Sequence, residues 1–99
     1  MDLKIIASRL DQQQQRLEGD VLERFLRYVK IHTTSDPDND ACPSSDRQFD
    51  LARVLHQELH SLGIEDLVIT KECYVLARVP GNCQVDPICF LAHMDTSPD

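Results

Sequence analysis

The sequence Pro87-Ile88-Cys89-Phe90-Leu91-Ala92-His93-Met94-Asp95-Thr96-Ser97-Pro98-Asp99 indicates the fold of this 99-residue chain more clearly than any other stretch. Residues 88–92 are apolar at every position, which is typical of a strand covered on both faces, as in the sheets of α/β proteins. An imidazole and a carboxylate follow directly, at His93 and Asp95. We therefore predict an α/β fold with a buried strand at Ile88–Ala92 and polar chemistry where that strand ends.

Two helices are predicted near the N-terminus. Apolar residues recur at helical spacing over residues 2–18, and Gly19 is suited to end this helix in the left-handed conformation. Asp20 and Glu23 resemble a capping box, so we expect a second helix to begin there and to run to about Ile31.

A loop and a third helix are predicted next. Proline, aspartate, asparagine and serine cluster in residues 33–45, a composition typical of a loop. Ser45 and Gln48 repeat the capping-box pattern at the start of the helix, and Gly63 is suited to end it.

The hydrophobic period changes after Gly63. Residues 67–70 and 74–79 are rich in β-branched and aromatic side chains, which predicts two strands before the one at Ile88–Ala92. The helices of this chain would cover only part of such a sheet. We therefore expect helices first, then three strands, forming an incomplete portion of an α/β domain.

The composition argues against several classes of function. The chain is 41% hydrophobic and 27% charged, with a net charge of −7. Its basic residues are scattered among carboxylates, whereas nucleic-acid binding needs clustered lysine and arginine. No apolar run approaches the roughly 20 residues of a transmembrane helix, and the N-terminus lacks the apolar core of a signal peptide. We therefore expect no membrane partner and a cytoplasmic protein.

The four cysteines of the chain form no CxxC pair and are expected to be reduced thiols.

Two polar patterns resemble metal sites without matching them. His56-Gln57-Glu58-Leu59-His60 places two histidines on one helix face, but Gln57 stands where the zinc-peptidase motif HExxH needs its glutamate. We interpret this pattern as a polar helix face.

Residues 36–40 resemble the start of a calcium loop, but Ala41 and Arg47 stand where that loop needs glycine and glutamate. We interpret these residues as a solvated acidic loop.

His93 and Asp95 are the candidate metal-site residues. In an extended chain residues i and i+2 point to the same side, so the carboxylate of Asp95 can orient the imidazole of His93. A neutral histidine ligates zinc through one ring nitrogen, while the other usually donates to a carboxylate or carbonyl group. A histidine at a strand end is also commonly a structural hydrogen-bonding residue, and the spacing alone leaves both interpretations open.

Further segments complete a resemblance to a known family. Residues Glu23–Val29, Pro43-Ser44-Ser45 and Leu62-Gly63-Ile64 match in order the opening of peptidase T, and residues 92–99 resemble that family's first metal-binding signature. These enzymes are tripeptide aminopeptidases of the co-catalytic zinc exopeptidase superfamily. The resemblance covers roughly residues 20–99 and implies the N-terminal segment of a three-layer αβα catalytic domain. Residues 1–19 are then an extra N-terminal helix.

The resemblance also implies a site and a reaction. His93 matches the first ligand of one zinc ion, and Asp95 matches the carboxylate that orients His93. A complete site of this family holds two zinc ions, which activate a water molecule for attack on the first peptide carbonyl. The implied partners are a small peptide substrate and, for the complete enzyme, a second copy in a homodimer. Because a catalytic zinc takes three protein ligands, we expect this chain alone to bind zinc weakly and to lack peptidase activity.

Two other functions remain open from the sequence. The chain would be a non-catalytic interaction module if it paired with a related peptidase through the open edges of its sheet. It would instead be part of a zinc deacylase or dipeptidase if its His-x-Asp pattern were the only resemblance that mattered, since the whole superfamily shares that pattern.

Overall fold

The computed structural model of the chain describes residues 2–99 and contains two helices and two strands. In chain order these are α1 (Leu3–Tyr28), α2 (Gln48–Ser61), β1 (Asp66–Ile69) and β2 (Val75–Arg78). Helices followed by strands confirm the predicted α/β class. The residues form two compact units, Met1–Ile31 and His32–Asp99. Within residues 2–99, neither helix has a stretch long and apolar enough to span a lipid bilayer.

The first unit is a single helix, α1, where the sequence predicted two. Asp2 caps its start by accepting a hydrogen bond from the backbone N–H of Lys4 at 2.9 Å. Gly19 lies inside the helix, so the predicted stop at Gly19 and the predicted cap at Asp20 are both wrong. A helical glycine costs about 1 kcal/mol relative to alanine, and the good helix formers on both sides outweigh that cost. The helix ends at Tyr28, slightly earlier than predicted.

The second unit is built from α2 and a two-stranded antiparallel hairpin. The register of β1 and β2 runs from Asp66 opposite Arg78 to Ile69 opposite Val75, which confirms the first two predicted strands. Helix α2 packs against both strands and carries two of the three buried apolar residues. The buried apolar residues of this unit are Leu51, Ala52 and Cys73. The core is therefore small, and it lies between one face of α2 and the hairpin.

The sequence predicted the end of α2 correctly but not its start. Ser45 does not cap the start, because α2 begins at Gln48, whose backbone N–H donates to the Ser45 carbonyl at 3.1 Å. The predicted stop at Gly63 is confirmed, since this residue has a φ of 92°. The N–H groups of Gly63 and Ile64 donate to the carbonyls of His60 and Leu59 at 2.9 and 3.2 Å. This pair of hydrogen bonds is the Schellman arrangement that a left-handed glycine permits.

Replacing the two helix-associated glycines by alanine is expected to have opposite effects. Gly63→Ala should destabilise the second unit by about 1 kcal/mol, because its φ of 92° is strained for a residue with a Cβ atom. Gly19→Ala should raise the helicity of α1, because an added Cβ meets nothing within 4 Å and alanine favours the helix by about 1 kcal/mol. Urea unfolding and far-ultraviolet circular dichroism measure the two changes. Equal signs for both substitutions would contradict this account.

The predicted third strand at Ile88–Ala92 is wrong. The segment lies outside any strand, and its large side chains are nearly fully exposed, at 83% for Ile88, 92% for Phe90 and 91% for Leu91. A strand exists only where a neighbouring chain segment completes its ladder of backbone hydrogen bonds. No segment within residues 2–99 pairs with residues 88–92. The apolar composition identified a segment suited to burial, but composition carries no information about its neighbour.

The polar residues of the predicted loop bond to one another. The Asp36 N–H donates to Ser44 Oγ at 2.9 Å, and the Asn39 side-chain amide donates to the Ser44 carbonyl at 2.8 Å. The side-chain oxygens of Asp36 and Asn39 accept the backbone N–H groups of Asp38 and Ala41, each at 3.0 Å. These local bonds are the reason that aspartate, asparagine and serine favour turns over helices. The predicted loop is confirmed.

Candidate functional site

Residues 93–99 are attached to the start of the second unit by a short parallel bridge between Thr34 and Thr96. The Ser35 N–H donates to the Thr96 carbonyl at 3.0 Å, and the Thr96 N–H donates to the Thr33 carbonyl at 3.3 Å. The hydroxyls of Thr34 and Thr96 lie 3.1 Å apart, and the Ser35 hydroxyl donates to the Thr96 carbonyl at 3.2 Å. The segment that carries the candidate ligand is thus fixed by side-chain and backbone bonds.

Sequence reasoning missed the residues that anchor this segment. Thr33 is 4% exposed and Thr34 is half-buried, although both belong to a stretch predicted as a loop. Thr34 and Thr96 are 62 residues apart, so no local spacing pattern connects them. The only signal available is the strand preference of β-branched threonine, which is weak in two adjacent residues.

Asp95 holds the ring of His93 through two oxygen atoms. The Nδ1 atom of His93 lies 2.8 Å from the backbone carbonyl oxygen of Asp95 and 3.2 Å from its Oδ1 atom. Carbonyl and carboxylate oxygens only accept hydrogen bonds, so Nδ1 is the ring nitrogen that donates. In the neutral ring the Nε2 atom then has a free lone pair. This tautomer can ligate a metal ion through Nε2.

The Nε2 side of the ring is open to solvent. The side chain of His93 is 85% exposed, whereas that of Asp95 is 41% exposed. Among residues 2–99 the hydrogen bonds of this ring are those to Asp95. A metal ion could therefore bind Nε2 without displacing a protein contact. The arrangement resembles the outer-shell carboxylate that fixes the tautomer of many metal-binding histidines.

Residues 2–99 bring no cluster of metal-binding side chains to His93. Within residues 2–99, no group of three or more histidine, cysteine, aspartate or glutamate side chains is arranged to hold a metal ion. His56 and His60 lie on α2, where Gln57 still occupies the position of the missing glutamate. Because a catalytic zinc takes three protein ligands, His93 fits one ligand position of a site that needs others.

Comparison with known proteins finds relatives that are similar to most of this chain. No family model matches the sequence. Three proteins named peptidase T are similar to it: that of Alkaliphilus oremlandii is 51% identical over 83 residues, that of Geobacillus thermodenitrificans 45% over 85, and that of Aliivibrio fischeri 48% over 82. The chain is peptidase T-like. The resemblance to peptidase T that the sequence motifs indicated is thereby confirmed.

The peptidase T match covers most of this chain but a small share of each relative. The aligned regions include 80–84% of the chain and 20–21% of the three peptidase T proteins. The chain therefore spans about a fifth of the length of the curated relatives it matches.

Proposed function

We propose that this chain contributes one zinc ligand to an aminopeptidase that releases the N-terminal residue of tripeptides. The observation that carries the proposal is the contact between His93 and Asp95, in which Nδ1 donates to two oxygens and Nε2 stays open. The similarity to proteins named peptidase T, at up to 51% identity, supports the choice of reaction. It also favours a tripeptidase over a deacylase or dipeptidase.

The two residues would have different roles. His93 would hold one of the two zinc ions through Nε2, and Asp95 would fix the ring and its tautomer without touching the metal. Bound zinc would supply Lewis acidity, which lowers the pKa of a coordinated water. The contact from Nδ1 to the Asp95 carboxylate makes the imidazole a stronger donor to the metal. The other ligands would come from outside residues 2–99.

The division of the chain at residue 19 is part of the same proposal. Residues 20–99 would form the segment that belongs to the catalytic domain, and residues 1–19 would be an N-terminal addition. The part of the chain left unmatched in the alignments, between about a sixth and a fifth, is close in length to this proposed addition. Since α1 continues through Gly19, the addition would extend a helix of the catalytic segment without a break.

The isolated chain is expected to hydrolyse no tripeptide. A single imidazole holds zinc weakly, and residues 2–99 contain no group of three side chains that could hold a metal ion. Release of the N-terminal residue, measured with excess zinc, should equal that in buffer alone, while purified Alkaliphilus oremlandii peptidase T serves as the positive control. Turnover that is lost on chelation and restored by zinc would contradict this prediction.

The proposed role of His93 is tested by a chimera. The matching 83-residue region of the Alkaliphilus oremlandii protein is replaced by the aligned region of this chain, and peptidase activity is measured. Activity in the chimera that depends on His93 supports the proposal. A chimera that folds and hydrolyses peptides equally well without His93 would refute it.

A second function, that of a non-catalytic interaction module, is favoured by the exposed apolar residues Ile88, Phe90 and Leu91. Side chains of this size are normally buried, and a run of them is typical of an interaction surface. If this function is correct, the chain should bind purified Alkaliphilus oremlandii peptidase T in a pull-down, and Phe90→Asp should abolish binding. Thr96→Ala is a control outside the run. No binding by the unaltered chain would exclude this partner.

A further inference from the structure

Two cysteines that are distant in sequence lie close together in the second unit. Cys42 belongs to the polar loop, and Cys73 belongs to the connection between β1 and β2. The Sγ atom of Cys42 donates to the carbonyl oxygen of Glu72 at 3.8 Å. Glu72 directly precedes Cys73, so the Cys42 thiol contacts the same short turn that carries the second cysteine. Both side chains are free thiols.

The turn holds Cys73 in a fixed and buried position. Its backbone N–H donates to the Thr70 carbonyl at 3.0 Å, and its φ of 69° places it in the left-handed region. The residue is 3% exposed and is one of the three buried apolar residues of the unit. Burial raises the pKa of the Cys73 thiol above its ordinary value, and the nearby Cys42 raises it further, against an opposing effect of Arg53. The two thiols are neighbours that differ in exposure, since Cys42 is exposed and Cys73 is buried.

We propose that Cys42 and Cys73 are a redox-active pair that closes into an intramolecular disulfide when a low-molecular-weight disulfide such as oxidised glutathione is present. The exposed Cys42 reacts first, because accessible thiols exchange faster than buried ones. Cys73 is the resolving residue. The resulting bond joins the polar loop to the hairpin connection.

The reaction consists of two balanced exchange steps. The Cys42 thiolate attacks one sulfur of oxidised glutathione, which forms a mixed disulfide and releases one glutathione thiolate. The Cys73 thiol then loses its proton and attacks Cys42 Sγ, which breaks the mixed disulfide and releases the second glutathione. The two cysteines are oxidised, one glutathione disulfide is reduced to two thiols, and the two thiol protons end on the products.

The other two cysteines have different surroundings. Cys83 and Cys89 are exposed and lie in residues 81–92, outside any helix or strand. The Sγ contact of Cys89 is to the carbonyl of its own neighbour Phe90, at 3.9 Å. Neither has a resolving thiol held beside it by a contact like that of Cys42 with the Glu72 carbonyl. Both are therefore expected to stop at the mixed disulfide with glutathione.

The test uses the full chain carrying Cys83→Ser and Cys89→Ser, so that the pair alone can react. The folded protein is incubated with oxidised glutathione and analysed by intact mass and peptide mapping. The expected product has lost two hydrogens, carries no glutathione, and yields a cross-linked peptide that contains Cys42 and Cys73. Its melting temperature should rise by about 10 °C, because the bond closes a loop of roughly 30 residues.

Single substitutions identify the order of the steps. With Cys73→Ser, glutathione should remain attached to Cys42, because no resolving thiol is left. With Cys42→Ser, the buried Cys73 should react with oxidised glutathione at least tenfold more slowly than Cys42 does in the Cys73→Ser protein. Two results with the protein that carries only Cys83→Ser and Cys89→Ser would overturn the proposal. One is a stable glutathione adduct on Cys42 while Cys73 stays a free thiol, and the other is no reaction at either thiol.

Discussion

Peptide hydrolysis by the chimera is expected to fall by more than roughly a hundredfold when His93 is replaced by alanine. The substitution removes the imidazole whose Nδ1 atom donates to Asp95 and whose Nε2 atom is open to bind zinc. Loss of an outer-shell partner typically costs 10- to 100-fold in metal affinity or activity, and loss of a ligand is expected to cost more. Measurement of kcat/KM for a tripeptide, together with the zinc content of the purified protein, tests both parts of this expectation.

Asp95→Asn in the chimera should reduce peptide hydrolysis less than His93→Ala does. The amide keeps the size of the side chain and can still accept a hydrogen bond from Nδ1, but it removes the negative charge beside the ring. We expect a loss of about 10- to 100-fold, with some zinc retained. His60→Ala is the matched control, because His60 is an exposed histidine at the end of α2. A loss with His60→Ala as large as that with His93→Ala would contradict the assignment.

Leu51→Ala is expected to destabilise the second unit by about 2–4 kcal/mol. Leu51 is 6% exposed and neighbours Ala52, which is 0% exposed, on the face of α2 that meets the hairpin. A unit of this size has a total unfolding free energy on the order of 5 kcal/mol. The substitution should therefore leave an unfolding free energy of only about 1–3 kcal/mol, so that up to roughly a sixth of the protein is unfolded at room temperature. Urea unfolding followed by circular dichroism measures the change.

Leu62→Ala is the matched control for Leu51→Ala. Both substitutions remove the same atoms, but Leu62 is 62% exposed and follows the last residue of α2. Its replacement should change the unfolding free energy by about 0.5 kcal/mol or less. Similar losses at the two positions would show that the core does not lie where the structure places it.

The elements that the sequence predicted correctly depend on local physics. Gly63 ends α2 because a left-handed residue satisfies two helix carbonyls, and this requirement is visible in a single position. The hairpin followed from two β-rich segments with a short connection between them. The i, i+2 spacing of His93 and Asp95 predicted that the carboxylate could reach the ring, and the structure has that contact at 3.2 Å.

The elements that the sequence predicted wrongly depend on a balance between opposing local preferences or on residues far away in the sequence. Gly19 is a possible helix stop in isolation, but its flanking residues continue the helix at a lower free energy. Residues 88–92 have the composition of a buried strand, and whether they become one is decided by a neighbouring strand rather than by their own side chains. The bridge from Thr34 to Thr96 joins residues that no local pattern relates.

The most direct test of the central claim is a crystal structure of the zinc-loaded chimera, with diffraction recorded on both sides of the zinc absorption edge. An anomalous peak is expected about 2.0–2.1 Å from Nε2 of His93, with Nδ1 still hydrogen-bonded to Asp95. Zinc bound in the chimera with the His93 ring turned away from it, or ligated through Nδ1, would contradict the account.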